Sequence, residues 1–454
     1  MTGVRLCLLV LPFGGVETGS GQPGPASVAE RAAAVMRDLA GRQLVQGAVV
    51  IGRGGVVQYS AGFGFADRER QVPFTPETPT DGASMAKTFT AAALLLLASE
   101  GRVDLDAPVQ EILPSFPHAA TRVRHLLAHS AGLPGFDWLD ARVTAGEVRT
   151  NASHLALVAR DAPAPAFVPG TGFAYDNVAY DVAAMVVERI TGMSFADVLA
   201  QRFAGPLGLE AFLRPARFAD WNGVRTRGYQ RSDSGWKEHD AYDLEGFYGA
   251  SNVYLSARDL HRWVAGYRRV VGPAVSRRAV TPARLDDGRT TAIGLGSWYV
   301  SADRKRRYYT GDLNGFHSFA YADDARGLSV VWVANDGPPP WLQAGLARAL
   351  IAVAEGRRPE RLVPPPVAAP APDPSGTYQV PVIGKVVVRR DGGRLLVRVR
   401  AVEYDAFLLG DDVHFVPGMD ASLRFTLAPK GGVVLWWDSV FEGAAAGVVP
   451  PRTP

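Results

Sequence analysis

Residues 84–90, SMAKTFT, open a long apolar run and contain a lysine in a chain that has almost none. Five lysines stand against forty-three arginines, and Lys87 is the only lysine in the first 236 residues. It lies three places after Ser84. A serine hydroxyl is a weak nucleophile and needs a base beside it. Residues three apart share a helix face, so Ser84 Oγ and Lys87 Nζ can meet. Among Phe89, Ala91 and Leu94–Leu97 an amine sheds its water, which favours the neutral form that takes a proton. At a helix N-terminus the dipole favours an oxyanion, and the Ser84 N–H can donate to it. The competing reading is a helix cap beside a snorkelling lysine. A second copy of the spacing, Ser234 to Lys237 in RSDSGWKEHD, reads as a solvated turn.

Outward from this stretch, SMAKTFTAAALLLLASEGR reads as a buried helix ending at Gly101. Upstream, SVAERAAAVMRDLAGRQL reads as an amphipathic helix, and QGAVVIGRGGVVQYSAGFGFAD as two strands joined by a Gly-Gly turn. A helix-rich middle runs to about residue 270. RRYYTGDLNGFHSFAYADDARGLSVVWVAND returns to strands, and WLQAGLARALIAVAEG closes with a helix. Strands from both ends of the segment with helices between predict an α/β layered domain with a helical insertion. RRPERLVPPPVAAPAPDPSG is a proline-rich break. Beyond it, apolar and polar residues alternate between Gly/Asp turns, as in a small antiparallel β-domain. The successive Trp436 and Trp437 put one ring inward and one outward.

The 454 residues suffice for more than one domain. A net charge of +3 without a dense basic block argues against a nucleic-acid partner. The single Cys7 excludes an intrachain disulfide and a thiolate cluster. No stretch reaches the roughly 18–20 unbroken apolar residues of a membrane span. Residues 1–26 read as an N-terminal extension or a weak signal peptide. Export to the periplasm or beyond follows in the second case, and a cytoplasmic location in the first.

Two further elements extend the chemistry. Tyr175-Asp176-Asn177 precedes an amphipathic helix; a tyrosine can pass a proton, and an asparagine amide can hold a carbonyl. Thr310-Gly311 falls on a predicted strand, where a glycine lets a substrate approach and edge N–H groups can complete an oxyanion hole. His125 and His129 are four apart, yet no third ligand lies near, so no metal site is expected. GFGFAD at 62–67 has no following helix and fails as a dinucleotide loop. GASMA lacks the second glycine of a nucleophile elbow.

With these residues in place, the chain from about 30 to 355 resembles the serine β-lactamase-related hydrolases: class C β-lactamases, low-molecular-weight penicillin-binding proteins, D-aminopeptidases and family VIII esterases. The segments FTPETPTDGASMAKTFTAAALLLLASEGRVDLDAPVQEILPSF, VRHLLAHSAGLPGF, FAYDNVAYDVAAMVVERITG, GASNVYLSARDLHRW and GLSVVWVAND carry the resemblance. It implies a β-lactamase/transpeptidase-like antiparallel sheet flanked by helices, with a helical subdomain. It implies Ser84 as the acylated nucleophile, Lys87 as its base and Tyr175 as the second proton shuttle. Asn177 would contact a substrate amide, and the Asp312 N–H would pair with that of Ser84. Tyr309, Thr310 and Gly311 occupy the third motif, usually Lys-Thr-Gly or His-x-Gly. The neutral Tyr309 departs from it and weakens the case for carboxylate-bearing substrates; Arg306 or Arg307 is the candidate replacement cation. The C-terminal β-domain resembles the lipocalin-like barrel of some members.

The expected domains are 27–358 (catalytic), 359–374 (linker), 375–446 (barrel) and 447–454 (tail). The expected activity is ester or amide hydrolysis through an acyl-Ser84 intermediate, on a small-molecule or peptide substrate. Esterase, D-amino-acid amidase or peptidase, and DD-carboxypeptidase types stay open, and no cofactor is called for. The alternatives are a penicillin-binding-type thioesterase, peptide cyclase or acyltransferase and, from another class, a catalytically silent binding module of the same fold. Oligomeric state is left open.

Overall fold

A computed structural model describes residues 26–449 apart from short interruptions, the longest at 364–372 and 428–432. The N-terminal extension and the centre of the proline-rich linker lie outside the described residues. The first helix, Val28–Gly41, starts at a capping box in which Ser27 and Glu30 satisfy each other's backbone N–H. Strands Gly47–Arg53 and Val56–Phe63 form the expected hairpin. Its turn residues Gly54 and Gly55 have φ of 58° and 80°, the positive values that match the twist of flanking strands.

These strands end an eight-stranded antiparallel sheet. From the other edge its order is Pro282–Arg284, Thr290–Gly294, Tyr299–Val300, Arg306–Leu313, Phe316–Asp323, Leu328–Ala334, Gly47–Arg53 and Val56–Phe63. Phe316–Asp323 and Leu328–Ala334 are buried at every residue, so both faces are covered. Helix Ala257–Ala279 packs on the central strands, and helices Val28–Gly41 and Pro340–Ala354 pack on each other and on the sheet.

Helix Ala86–Ser99 is buried almost all round, as its apolar composition demands. Phe89 stacks on Trp263 with centroids 4.0 Å apart, and Trp263 Nε1 donates to Thr88 Oγ1 at 3.0 Å. Thr90 Oγ1 donates to Gly249 O at 2.8 Å. This helix is fixed by neighbours from two distant parts of the chain, so the residue ahead of it has little freedom.

The second sheet is an eight-stranded up-and-down antiparallel meander from Gly376–Val380 to Gly443–Val449. Its first and last strands lie against each other, giving a nearly closed barrel. Trp437 faces inward at 1% exposure and Trp436 outward at 47%, as strand alternation requires. Among the described residues, no helix is long and apolar enough to cross a membrane.

Candidate active site

Ser84 sits in a single 3₁₀ turn, Ala83–Met85, directly before helix Ala86–Ser99 rather than within it. The preceding Ala83 has φ of 47°, a conformation an L-residue adopts only at a cost of about 1–2 kcal/mol. Asp81 holds the turn by accepting from the Ala83 N–H at 2.8 Å. Burial pushes the Asp81 carboxyl up to about 6, against the lowering effect of that N–H.

Lys87 is fully buried. Its Nζ lies 3.1 Å from Ser84 Oγ, 2.7 Å from Asn177 Oδ1 and 3.0 Å from Ala250 O. Tyr175 OH donates to Ser84 Oγ at 2.9 Å. Ser84, Lys87, Tyr175 and Asn177 therefore meet around one hydroxyl, although the second pair lies about ninety residues along the chain.

The Tyr175 loop is pinned by His129. Ala174 N donates to His129 O at 2.9 Å, Asp176 N donates to His129 Nδ1 at 3.0 Å, and the imidazole stacks on the Tyr175 ring at 4.5 Å. Burial, then the nearby Lys87, holds His129 well below its usual range, so it is a neutral acceptor at Nδ1. Asp176 is buried beside it; desolvation raises its carboxyl to about 7, opposed by the Ala179 N–H. His125 accepts from Arg122 N at 3.2 Å. Among the described residues, no group of three or more acidic, histidine or cysteine side chains could hold a metal.

Strand Arg306–Leu313 pairs with its outer neighbour only at Arg307 and Tyr308. From Tyr309 onward that edge carries no ladder, and Gly311 faces the serine turn. A Cβ on Gly311 would lie 2.5 Å from Gly82 O and 2.8 Å from Ser84 N, so only glycine permits this approach. Ser318 Oγ donates to Gly82 O at 2.7 Å and ties the turn to the next strand. Asp312 follows Gly311, its carboxylate 2.6 Å from His317 Nδ1.

Tyr309 and Thr310, the first two residues of the third motif, have their side-chain hydroxyls on other protein groups. Tyr309 is 1% exposed, and its OH lies 3.2 Å from Tyr175 OH. Burial and the neighbouring Tyr175 and Tyr299 push its phenol well above its usual range, so it stays a neutral donor. The Thr310 hydroxyl donates to Asp420 of the barrel at 2.9 Å. Neither candidate arginine replaces the missing cation: Arg307 is buried, bound to Val264 O and Asp324, and Arg306 lies over Phe441 of the barrel.

Sequence reasoning missed three contributors. Ala250 acts through a carbonyl, which has no sequence signature. His129 enters the sequence reading only as a possible metal ligand. Asp420 comes from the other domain, in a turn with φ of 47°. Burial raises its carboxyl to about 7, against the Thr310 hydrogen bond. Phe173 also meets Tyr404 of the barrel, edge to face at 5.2 Å.

The serine turn, its amine and its phenol lie within the span, residues 32–355, that the beta-lactamase family profile matches. The chain belongs to the beta-lactamase family. Penicillin-binding protein 4* of Bacillus subtilis (strain 168) is 26% identical to it over 275 residues, covering 58% of this chain. The chain spans only 61% of that relative's length. The octameric penicillin-binding protein homologue from Pyrococcus abyssi superposes with a TM-score of 0.63 at 20% identity, over 92% of this chain and 99% of that one. A D-stereospecific amidohydrolase from Streptomyces sp. superposes with a TM-score of 0.53 at 23% identity, over 65% of this beta-lactamase-family chain and 93% of its own. At these identities the two structures attest the fold.

Proposed function

We propose that the protein is a serine hydrolase that cleaves an ester or amide through an acyl-Ser84 intermediate. The observation that carries this reading is the Ser84 hydroxyl, held between Lys87 Nζ at 3.1 Å and Tyr175 OH at 2.9 Å. Lys87 Nζ is anchored by Asn177 Oδ1 at 2.7 Å and Ala250 O at 3.0 Å, beside the Ser84 hydroxyl. In the acylation step the lysine amine takes the Ser84 proton as the oxygen attacks the substrate carbonyl. Tyr175, itself within reach of the Tyr309 hydroxyl, passes a proton to the leaving group. Water then attacks the acyl-enzyme with the same groups in reverse. The Ser84 and Asp312 N–H groups are the proposed oxyanion donors, each worth about 3–4 kcal/mol when well placed.

The substrate preference follows from Tyr309. A buried neutral phenol offers a substrate carboxylate no charge, and the groups beside it on the strand are Asp312 and Thr310, the latter bound to Asp420 of the barrel. Esters and amides without a carboxylate at that position fit better than β-lactams. A panel of p-nitrophenyl esters, D-amino-acid amides and nitrocefin tests this. Measurable ester cleavage with weak or no nitrocefin turnover is expected; efficient nitrocefin hydrolysis would overturn the role given to Tyr309.

A further inference from the structure

Arg306, a candidate for the missing third-motif cation, sits elsewhere. It lines a cavity of about 650 Å³ between the outer edge of the catalytic sheet and the barrel. None of Ser84, Lys87 and Tyr175 lines it. The barrel supplies an apolar wall: Ile383, Val402, Met419 and Phe441. The other side supplies Arg306, at the start of strand Arg306–Leu313, and Arg304, exposed in the turn before it. The Arg306 guanidinium lies 5.4 Å from the centroid of the Phe441 ring, which fixes it at the junction of the two walls.

Among the described residues, neither Arg304 nor Arg306 forms an ion pair. The surrounding acids hydrogen-bond to other groups, and Arg306 acts on Asp303 only through its charge. Asp303 accepts from Ser301 Oγ at 2.6 Å and from Lys305 N at 3.2 Å. Asp323, the cross-strand partner of Arg306, accepts from the Ala325 and Arg326 N–H groups at 3.0 Å. Glu355, which shares an adjoining cleft with Arg306, is held by Arg326 at 2.7 Å and by Arg357. The third arginine on the lining, Arg289, pairs with Asp287 at 2.7 Å.

We propose that this cavity is a second binding site, for a medium-chain carboxylate. A guanidinium recognises a carboxylate through paired N–H donors, and the barrel wall takes the chain out of water. The volume falls within the usual 300–1,000 Å³ of small-molecule sites. A neutral alcohol of equal length meets only the apolar wall, and acetate meets only the arginines. The site borders the candidate active site without joining it. Met419 precedes Asp420, the partner of Thr310, and Tyr404, also on the lining, contacts Phe173.

The test is calorimetric titration of the full chain carrying Ser84→Ala with decanoate, decanol and acetate. That background makes the result independent of whether Ser84 is a nucleophile. Decanoate should bind at one-to-one stoichiometry, with decanol and acetate at least about tenfold weaker. Arg306→Gln and Ile383→Trp should each weaken decanoate by about tenfold or more. Arg304→Gln serves as the charge variant if Arg306→Gln does not fold. Equal affinity for decanol, decanoate affinity unchanged in either the charge variant or Ile383→Trp, or no saturation below about 1 mM would overturn the proposal.

Discussion

Residues 84–87 and 234–237 carry the same Ser-x-x-Lys spacing in opposite settings. Lys87 opens a buried helix, and partners from three parts of the chain surround its amine. Lys237 is exposed on strand Gly235–Glu238 of a two-stranded hairpin, opposite Gln230; Ser234 lies outside the described residues. The 3₁₀ turn Ala83–Met85 runs straight into helix Ala86–Ser99, which leaves Ser84 Oγ 3.1 Å from Lys87 Nζ, whereas Lys237 lies exposed on a strand. The spacing gains chemistry only from the turn-to-helix junction that brings the two side chains together and from burial that removes water as the competing partner.

The comparison breaks most easily at the two lysines. Lys87→Ala should lower kcat/KM for a p-nitrophenyl ester by about a thousandfold or more, since it removes the base and the anchor of Asn177. Lys237→Ala should leave it within about twofold. Similar losses in both would mean that the setting of Lys87 confers nothing.

A smaller effect tests the wall opposite Ser84. Gly311→Ala places a methyl against two backbone atoms, Gly82 O and Ser84 N, so the strand edge must shift. About a hundredfold loss in kcat with an unchanged fold by circular dichroism is expected, the size of one lost oxyanion donor. Activity within threefold of wild type would remove Gly311 from the account.

The smallest effect concerns the barrel's contact with this strand. Burial raises the Asp420 carboxyl to about 7, so the folded protein holds this proton more tightly than the unfolded chain does. Its contribution is present at about pH 4 and is lost as the pH rises through about 7. Asp420→Asn keeps an acceptor for Thr310 and removes that loss. Its thermal midpoint should exceed wild type by a few degrees at about pH 8, with the gap closing toward about pH 4. A gap that is absent or reversed at about pH 8 would count against an ionising, buried Asp420.

Much of this was legible in the sequence because local rules and global fold agree. The hairpin turn at Gly54 and Gly55, the stop near Gly101 and the inward turn of one of Trp436 and Trp437 each follow from local chemistry. That Ser84, Lys87, Tyr175 and Asn177 belong together was implied by the family resemblance, which the Ser-x-x-Lys spacing alone does not carry. What escaped lies in long-range or backbone contacts. Thr310 and Asp420 are 110 residues apart in two sheets. Ala250 contributes only its carbonyl. The inward turn of Tyr309 depends on Tyr175 and Tyr299 filling the space around it.

The most direct measurement is the intact mass of the protein after brief exposure to a p-nitrophenyl ester, with peptide mapping of the adduct. The account predicts one acyl group, on the peptide holding Ser84, absent from Ser84→Ala. An adduct on any other residue, or equal acylation of Ser84→Ala, would contradict it.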